Sequence, residues 1–309
     1  MKNDLESQTG DLFGSLWSSL NDDQYRDSVD LFTKRAMANQ FDLDWLKGKV
    51  CLDAGCGSGR YSVALALHGV ASVTAVDISD SGLKEASRRA KDFPQISFQQ
   101  ASVLDLPFED ATFDFVWSAG VIHHTLDFDR SLSELIRVLR PGGKLFLLIY
   151  GAGGLRWKAI KAMRPVVVDL GVQFVDNAIG LSGLPANNRK HFMDDLFVPI
   201  QKLTSMKELQ AKLLSLGIVN VERWTGETFD HESNPVAQLE DIEKLEIIAD
   251  SCLLLAKSPL EKSLATLLKG TADLYTKAAR DAIANRFLSP SQVRDIVIGE
   301  SNLRIVATK

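Results

Sequence analysis

Three glycines at alternate positions, Gly55, Gly57 and Gly59, follow the apolar run Val50-Cys51-Leu52 and the acid Asp53. The chemistry of such a pattern is binding. Glycine lets a tight turn take positive φ and lets the backbone come close to a ligand. Helix-compatible sequence from Arg60 onward leaves unsatisfied N–H groups facing that ligand. A second acid, Asp77, ends the run Val73-Thr74-Ala75-Val76, about 20 residues after the loop, where a βαβ unit sets a carboxylate on a ribose. Asp53 bears on the charge of the ligand. A carboxylate just before the loop suits a ligand carrying positive charge better than one carrying a pyrophosphate. Arg60 also stands where a dinucleotide fingerprint has its last glycine or alanine.

These residues need strands and helices that hold them at one edge of a sheet. Residues 46–150 alternate the two periodicities, with strands expected at 50–53, 73–77, 96–99, 113–118 and 144–150. Helices are expected at 60–68, 81–91 and 130–139, the last stopped by Pro141-Gly142-Gly143. Lys84, Arg88, Arg89 and Lys91 read as the solvated face of the second. Alternation of this kind implies a parallel sheet covered by helices on both faces, with ligands at the carboxyl ends of the strands. Asp53, Asp77, Ser118 and Tyr150 fall at such ends.

The rest of the chain divides by composition. Residues 1–45 read as an N-terminal helical cap, with a helix over 27–40; Phe32 and Phe41 are expected to pack on the sheet, while Trp17 and Tyr25 could pack or close over a ligand. Residues 151–204 are too long for a plain loop and read as a helical lid at the acceptor site. Residues 205–226 supply a core helix and a sixth strand, 227–300 a second helical insertion, and 301–309 a final strand. The 309 residues are 45% hydrophobic and 24% charged with net charge −5, ordinary for a soluble protein and without the basic footprint of a nucleic-acid binder. The three cysteines, Cys51, Cys56 and Cys252, have neither zinc nor disulfide spacing. With no signal peptide and no apolar run of membrane length, a cytoplasmic protein is the expectation.

The segments Leu52-Asp53-Ala54-Gly55-Cys56-Gly57-Ser58-Gly59, Val76-Asp77-Ile78-Ser79, Leu106-Pro107-Phe108, Phe113-Asp114-Phe115-Val116, His123-His124 and Arg137-Val138-Leu139-Arg140-Pro141-Gly142-Gly143 occur in one order over about 45–150. In them the chain resembles the class I S-adenosylmethionine-dependent methyltransferases. The resemblance implies a doubly wound α/β fold with a mostly parallel seven-stranded sheet, its last strand antiparallel and slotted between the fifth and sixth. It implies S-adenosyl-L-methionine as cofactor, held by Asp53, Gly55, Cys56, Gly57, Gly59, Asp77, Ile78, Ser102, Val103 and Ser118, with no metal. Ser102 stands where the family often has an acid; its hydroxyl would reach the adenine amine and the Val103 N–H a ring nitrogen.

Methyl transfer needs alignment first, and a base only when the acceptor carries a proton at neutral pH. His123 and His124 are the candidates for that base, and a histidine pair there can equally be a structural, hydrogen-bonded element. Tyr150, His191, Asp194 and Asp195 are weaker candidates for lining the acceptor site. The run Ser118-Ala119-Gly120-Val121 replaces the Asn-Pro-Pro-aromatic segment that holds nucleobase amines, so a small-molecule acceptor is expected, with no nucleic acid or membrane partner. The helical insertions offer a surface for a homodimer. Competing readings are a methyltransferase of protein or RNA, a nicotinamide-dependent oxidoreductase, and a catalytically silent cofactor-binding module.

Overall fold

A computed structural model describes residues 21–225 and 234–309, so Trp17 and the start of the expected second insertion lie outside the described residues. The chain divides into two compact units. Among the described residues, 21–150, 199–225 and 302–309 form a sheet unit, and 151–198 with 234–301 form a helical unit.

The sheet unit holds β1 (Val50–Ala54), β2 (Ser72–Asp77), β3 (Ile96–Gln100), β4 (Phe113–Ala119), β5 (Leu139–Tyr150), β6 (Asn220–Arg223) and β7 (Asn302–Thr308). Their order is β3-β2-β1-β4-β5-β7-β6. The pairs from β3 to β5 are parallel, and β7 runs antiparallel to both β5 and β6, as expected for the final strand. Helices α1 (Asp22–Ala38), α2 (Arg60–Leu67), α3 (Asp80–Arg89) and α4 (Phe128–Arg137) accompany the first five strands. Alternate strand residues serve opposite faces. Leu52, Val116, Leu145, Leu147 and Ile305 share one core with Leu132 and Leu135 of α4 and with Leu209 and Leu213 of the helix Met206–Ser215. On the other face Trp117 stacks on Phe146, with centroids 3.6 Å apart. Phe32 of α1 and Tyr61 of α2 close over that Trp117 at 4.9 and 4.8 Å. Phe32 is fully buried, and Phe41 stacks on Phe115, so both pack as expected.

Two local readings are corrected. The helix expected to run to residue 139 ends at Arg137, and β5 starts at Leu139, with Pro141-Gly142-Gly143 inside it. The run makes a bulge instead of a stop, because strand partners lie on both sides. Register slips between Phe113 and Phe115, and the Gly142 N–H donates to the Lys309 carbonyl at 2.7 Å. Arg89, read as part of a solvated face, has a side chain only 6% exposed; it pairs with Glu85 and lies over the Tyr25 ring of α1. Its partner comes from a distant segment that helix periodicity cannot report.

The helical unit joins the two stretches read as separate insertions, and 199–204 belong to the sheet unit instead. Leu155 of the helix Leu155–Leu170 shares a core with Ile242 of Pro235–Leu255, Ala279 and Ala282 of Pro259–Ala284, and Val297 of Pro290–Val297. The last three helices start alike, with Asn234, Ser258 or Ser289 as N-cap and proline next, and Ser258/Glu261 and Ser289/Gln292 are capping boxes. No described helix is long and apolar enough to cross a membrane.

Charge is buried inside this unit. The Arg156 guanidinium donates to the Asp195 carboxylate at 2.5 Å, with side-chain exposures of 8% and 0%, and lies 3.7 Å from Asp241. Arg164 donates to the Asp195 and Val198 carbonyls. Removing one member of a buried pair leaves an uncompensated charge. Arg156→Ala should therefore cost about 3–5 kcal/mol in urea unfolding, and Arg156→Met with Asp195→Leu should recover most of it. A loss below about 1 kcal/mol for Arg156→Ala would show that the pair carries no structural charge compensation.

Candidate functional site

Parallel pairing sets Ala54 of β1 opposite Val76 of β2, so the loop after β1 begins beside the end of β2. The Gly55 and Cys56 N–H groups both donate to the Val76 carbonyl, at 2.8 and 2.9 Å. One residue on, the Gly57 N–H donates to Asp77 Oδ2 at 2.8 Å, and the Ser79 N–H donates to Asp77 Oδ1 at 2.9 Å. Asp77 thus ties the glycine loop to the turn that starts α3, while Ser79 is the helix cap, accepting from Gly82. Each carboxylate oxygen keeps a further acceptor site for a ligand hydroxyl. Burial raises the Asp77 carboxyl above its ordinary range, with its backbone donors opposing. Glycine is required at both ends of the loop. At Gly55 φ is +81° and a Cβ would lie 2.3 Å from Val121; at Gly59 φ is +76° and a Cβ would meet Ala86 at 3.0 Å.

Asp53 is buried at the end of β1, and Ser62 of α2 donates to its Oδ2 at 2.6 Å. Burial pushes the carboxyl up to about 7; the Ser62 hydrogen bond opposes this, the Asp77 carboxylate adds to it, and Arg60 lowers it. Such a group favours a cationic ligand, whose charge would replace the hydration that the carboxylate has lost. Cys56 packs with Ala75 and Leu83, and burial raises its thiol well above the ordinary range, so it is an inert wall residue of the loop. The Ile78 carbonyl accepts from Gln100 Nε2. Beyond β3, the Ser102 hydroxyl accepts from the Leu104 N–H at 3.2 Å in a local turn, and Val103 is buried. Ser118 is fully buried in β4 with no partner for its hydroxyl among the described residues.

The two histidines differ. His123 is fully buried, and neither ring nitrogen has a hydrogen-bond partner among the described residues. Burial, and secondarily His124, drive its proton affinity well below the ordinary range, so it is a neutral imidazole. The ring packs 4.0 Å from His124 and 4.1 Å from Tyr150, centroid to centroid. His124 Nδ1 lies 2.8 Å from the Ile200 carbonyl. A carbonyl only accepts, so Nδ1 carries the proton and Nε2 keeps the lone pair.

Segment 199–204 fixes this corner, since the Lys202 N–H donates to the His123 carbonyl and the Thr204 N–H to that of Tyr150. Thr204 is fully buried, and its hydroxyl has no partner among the described residues. Neither Thr204 nor Ser62 carries a motif, so only the fold brings them to the site. The structure groups Asp53, the glycines, Asp77, His123, His124 and Tyr150 in the sheet unit. His191, Asp194 and Asp195 belong to the helical unit, where Asp195 is engaged by Arg156.

The Asp53 environment has a measurable sign. An unfolded aspartate releases its proton near 3.9, whereas the folded chain holds it to about 7. Between those values the folded state binds the extra proton, so stability falls as pH rises through the window and levels off above it. Asp53→Asn should raise the melting temperature of the ligand-free protein at pH 8, by on the order of 1–4 kcal/mol of stability, with the gain vanishing near pH 4. An equal gain at both values would mean that Asp53 ionises normally.

Residues 52–147 match the family model described as a methyltransferase domain. The chain is 32% identical to the 27-O-demethylrifamycin SV methyltransferase of Amycolatopsis mediterranei, over 47% of this chain and 58% of that protein. It is 42% identical to the 2-phytyl-1,4-naphtoquinone methyltransferase of Trichormus variabilis, over 33% of this chain and 46% of that one. The chain thus spans about half the length of these curated relatives. A chain in a Haloferax volcanii complex of a methyltransferase activator with a methyltransferase shares the fold, with a TM-score of 0.51 at 17% identity over 96% of both chains. The loop after β1, the tethered acid after β2 and the order of the strands agree with these matches, and residues 52–147 are similar to the methyltransferase domain that the family model describes.

Proposed function

We propose that the protein moves a methyl group from S-adenosyl-L-methionine to a small-molecule acceptor. The observation that carries the reading is the Asp77 carboxylate, which holds the Gly57 loop in place and still has acceptor capacity on both oxygens. The residues fit the cofactor in charge as well: Asp53 is a buried acid suited to an ammonium, and the Cβ-free Gly55 and Gly57 let the backbone approach. When bound, the cofactor supplies a methyl group on a sulfonium, open to in-line attack. Asp77 would take the ribose hydroxyls, Asp53 the amino group, and Ser102 with the Val103 N–H the adenine. His124 would take the acceptor's proton on Nε2, with the Ile200 carbonyl fixing the ring. His123, neutral and buried, would line the site without changing charge. A small acceptor is supported by the absence of an Asn-Pro-Pro-aromatic run at Ser118-Ala119-Gly120-Val121 and by relatives named for a rifamycin and a naphthoquinone.

S-adenosylmethionine and S-adenosylhomocysteine should raise the melting temperature while NAD does not, since a ligand bound only by the native state stabilises it. Asp77→Ala should weaken cofactor binding by on the order of 2–3 kcal/mol in calorimetric titration. Wild-type affinity would place the ribose elsewhere. His124→Gln should lower turnover roughly 10²–10⁴-fold with little change in cofactor affinity. A folded His124→Gln protein with near-normal turnover would leave alignment alone as the mechanism and point to an acceptor that needs no base.

A further inference from the structure

The face beneath α1 holds a polar group that no described residue satisfies. Tyr25 stands in the first turn of α1, only 7% exposed, and its phenol oxygen is buried with no hydrogen-bond partner among the described residues. Its placement is firm. The Arg89 guanidinium lies 4.2 Å from the ring centroid, and that arginine is itself held by Glu85 of α3 and Asp22 of α1. The position is therefore braced from two helices, and α1 is anchored further along by Phe32 on Trp117.

Charged groups of both signs act on the hydroxyl. Burial raises the phenol's proton affinity most, Arg89 lowers it, and Asp53, Arg60 and Cys56 also act on it. The last three belong to β1, the loop and the start of α2, so Tyr25 sits beside the loop at the end where Asp53 lies. A buried hydroxyl left unpaired is unfavourable, and it marks a place where a ligand group completes the bonding. Both charge signs are present there. Asp53 is the acid, while Arg60 and Arg89 set a positive field around a hydroxyl that can donate. An α-amino acid offers the matching pair.

We infer that Tyr25 binds the cofactor, its phenol donating a hydrogen bond to the α-carboxylate of the amino-acid end while Asp53 takes the adjacent ammonium. The inference rests on the S-adenosylmethionine reading above and extends it to α1, which thereby becomes part of the binding site as well as a layer on the sheet. The Tyr25 ring packs under Arg89, while its hydroxyl bonds to no described residue and is left for a ligand.

The test compares S-adenosylmethionine with its decarboxylated form, which keeps the ammonium, the ribose and the adenine, by calorimetric titration of wild type and Tyr25→Phe. Wild type should prefer the carboxylate-bearing ligand. In Tyr25→Phe that preference should shrink roughly tenfold to a hundredfold, with the decarboxylated ligand bound as before. The melting temperature of ligand-free Tyr25→Phe should match or exceed that of wild type, because an unpaired buried hydroxyl is removed. Equal loss for both ligands would make Tyr25 a packing residue, and an unchanged preference would show that the hydroxyl does not reach the carboxylate; either overturns the inference. Wild type binding neither ligand would instead remove the S-adenosylmethionine reading itself.

Discussion

The geometry of the site depends on one carboxylate accepting two backbone donors. Asp77 takes the Gly57 N–H on one oxygen and the Ser79 N–H on the other, joining the loop after β1 to the turn after β2. Parallel pairing of the two strands brings those segments together, and the Val76 carbonyl aligns them by accepting from Gly55 and Cys56. A loop containing three positive-φ glycines is intrinsically loose. Hydrogen bonds to an acid fixed on a neighbouring strand remove that looseness before any ligand arrives, which lowers the ordering entropy that binding must overcome.

Two buried aspartates show how a fold treats charge according to its use. Asp195 in the helical unit meets the Arg156 guanidinium, so its charge is compensated internally. Asp53 in the sheet unit has a serine hydroxyl for its neighbour and a second acid, Asp77, nearby, and its carboxyl is raised to about 7. An interior acid with no ion-pair partner among the described residues is unfavourable for the ligand-free fold. Acids of that kind persist where a ligand brings the compensating charge, and Asp53 stands at the strand end where that ligand would lie.

The glycine loop and both acids were legible because their chemistry is local: residues 53 to 79 are close in sequence and in space. The fold class followed from the same stretch together with the strand–helix alternation after it. What was not legible came from sequence-distant partners. The tautomer of His124 is set by the Ile200 carbonyl, and the His123 carbonyl is held by Lys202; nothing near the histidine pair announces either. Arg89 reads as a surface charge until α1 supplies Tyr25 and Asp22. Pro141-Gly142-Gly143 has the composition of a break, yet Lys309 turns it into a bulged strand. The short helix Pro290–Val297 is a different case, since Ser289, Pro290 and Gln292 spell out a helix start that sequence reading passed over.

The place of β7 has a consequence for how the chain is assembled. It lies between β5 and β6 and is the only described strand that pairs with β6. Both segments of the helical unit are synthesised after β5 and before β7. A growing chain therefore carries β5 with one edge unpaired throughout the emergence of those segments, and β6 with no partner through the second of them. Open edges of that kind are where nascent chains pair wrongly or aggregate. The glycine loop and its acids lie wholly upstream, so the cofactor half could order while the far half of the sheet is still open. Chaperones that shield strand edges would matter most to this protein in that interval, when the β5 edge is exposed and the strand that covers it has yet to be made.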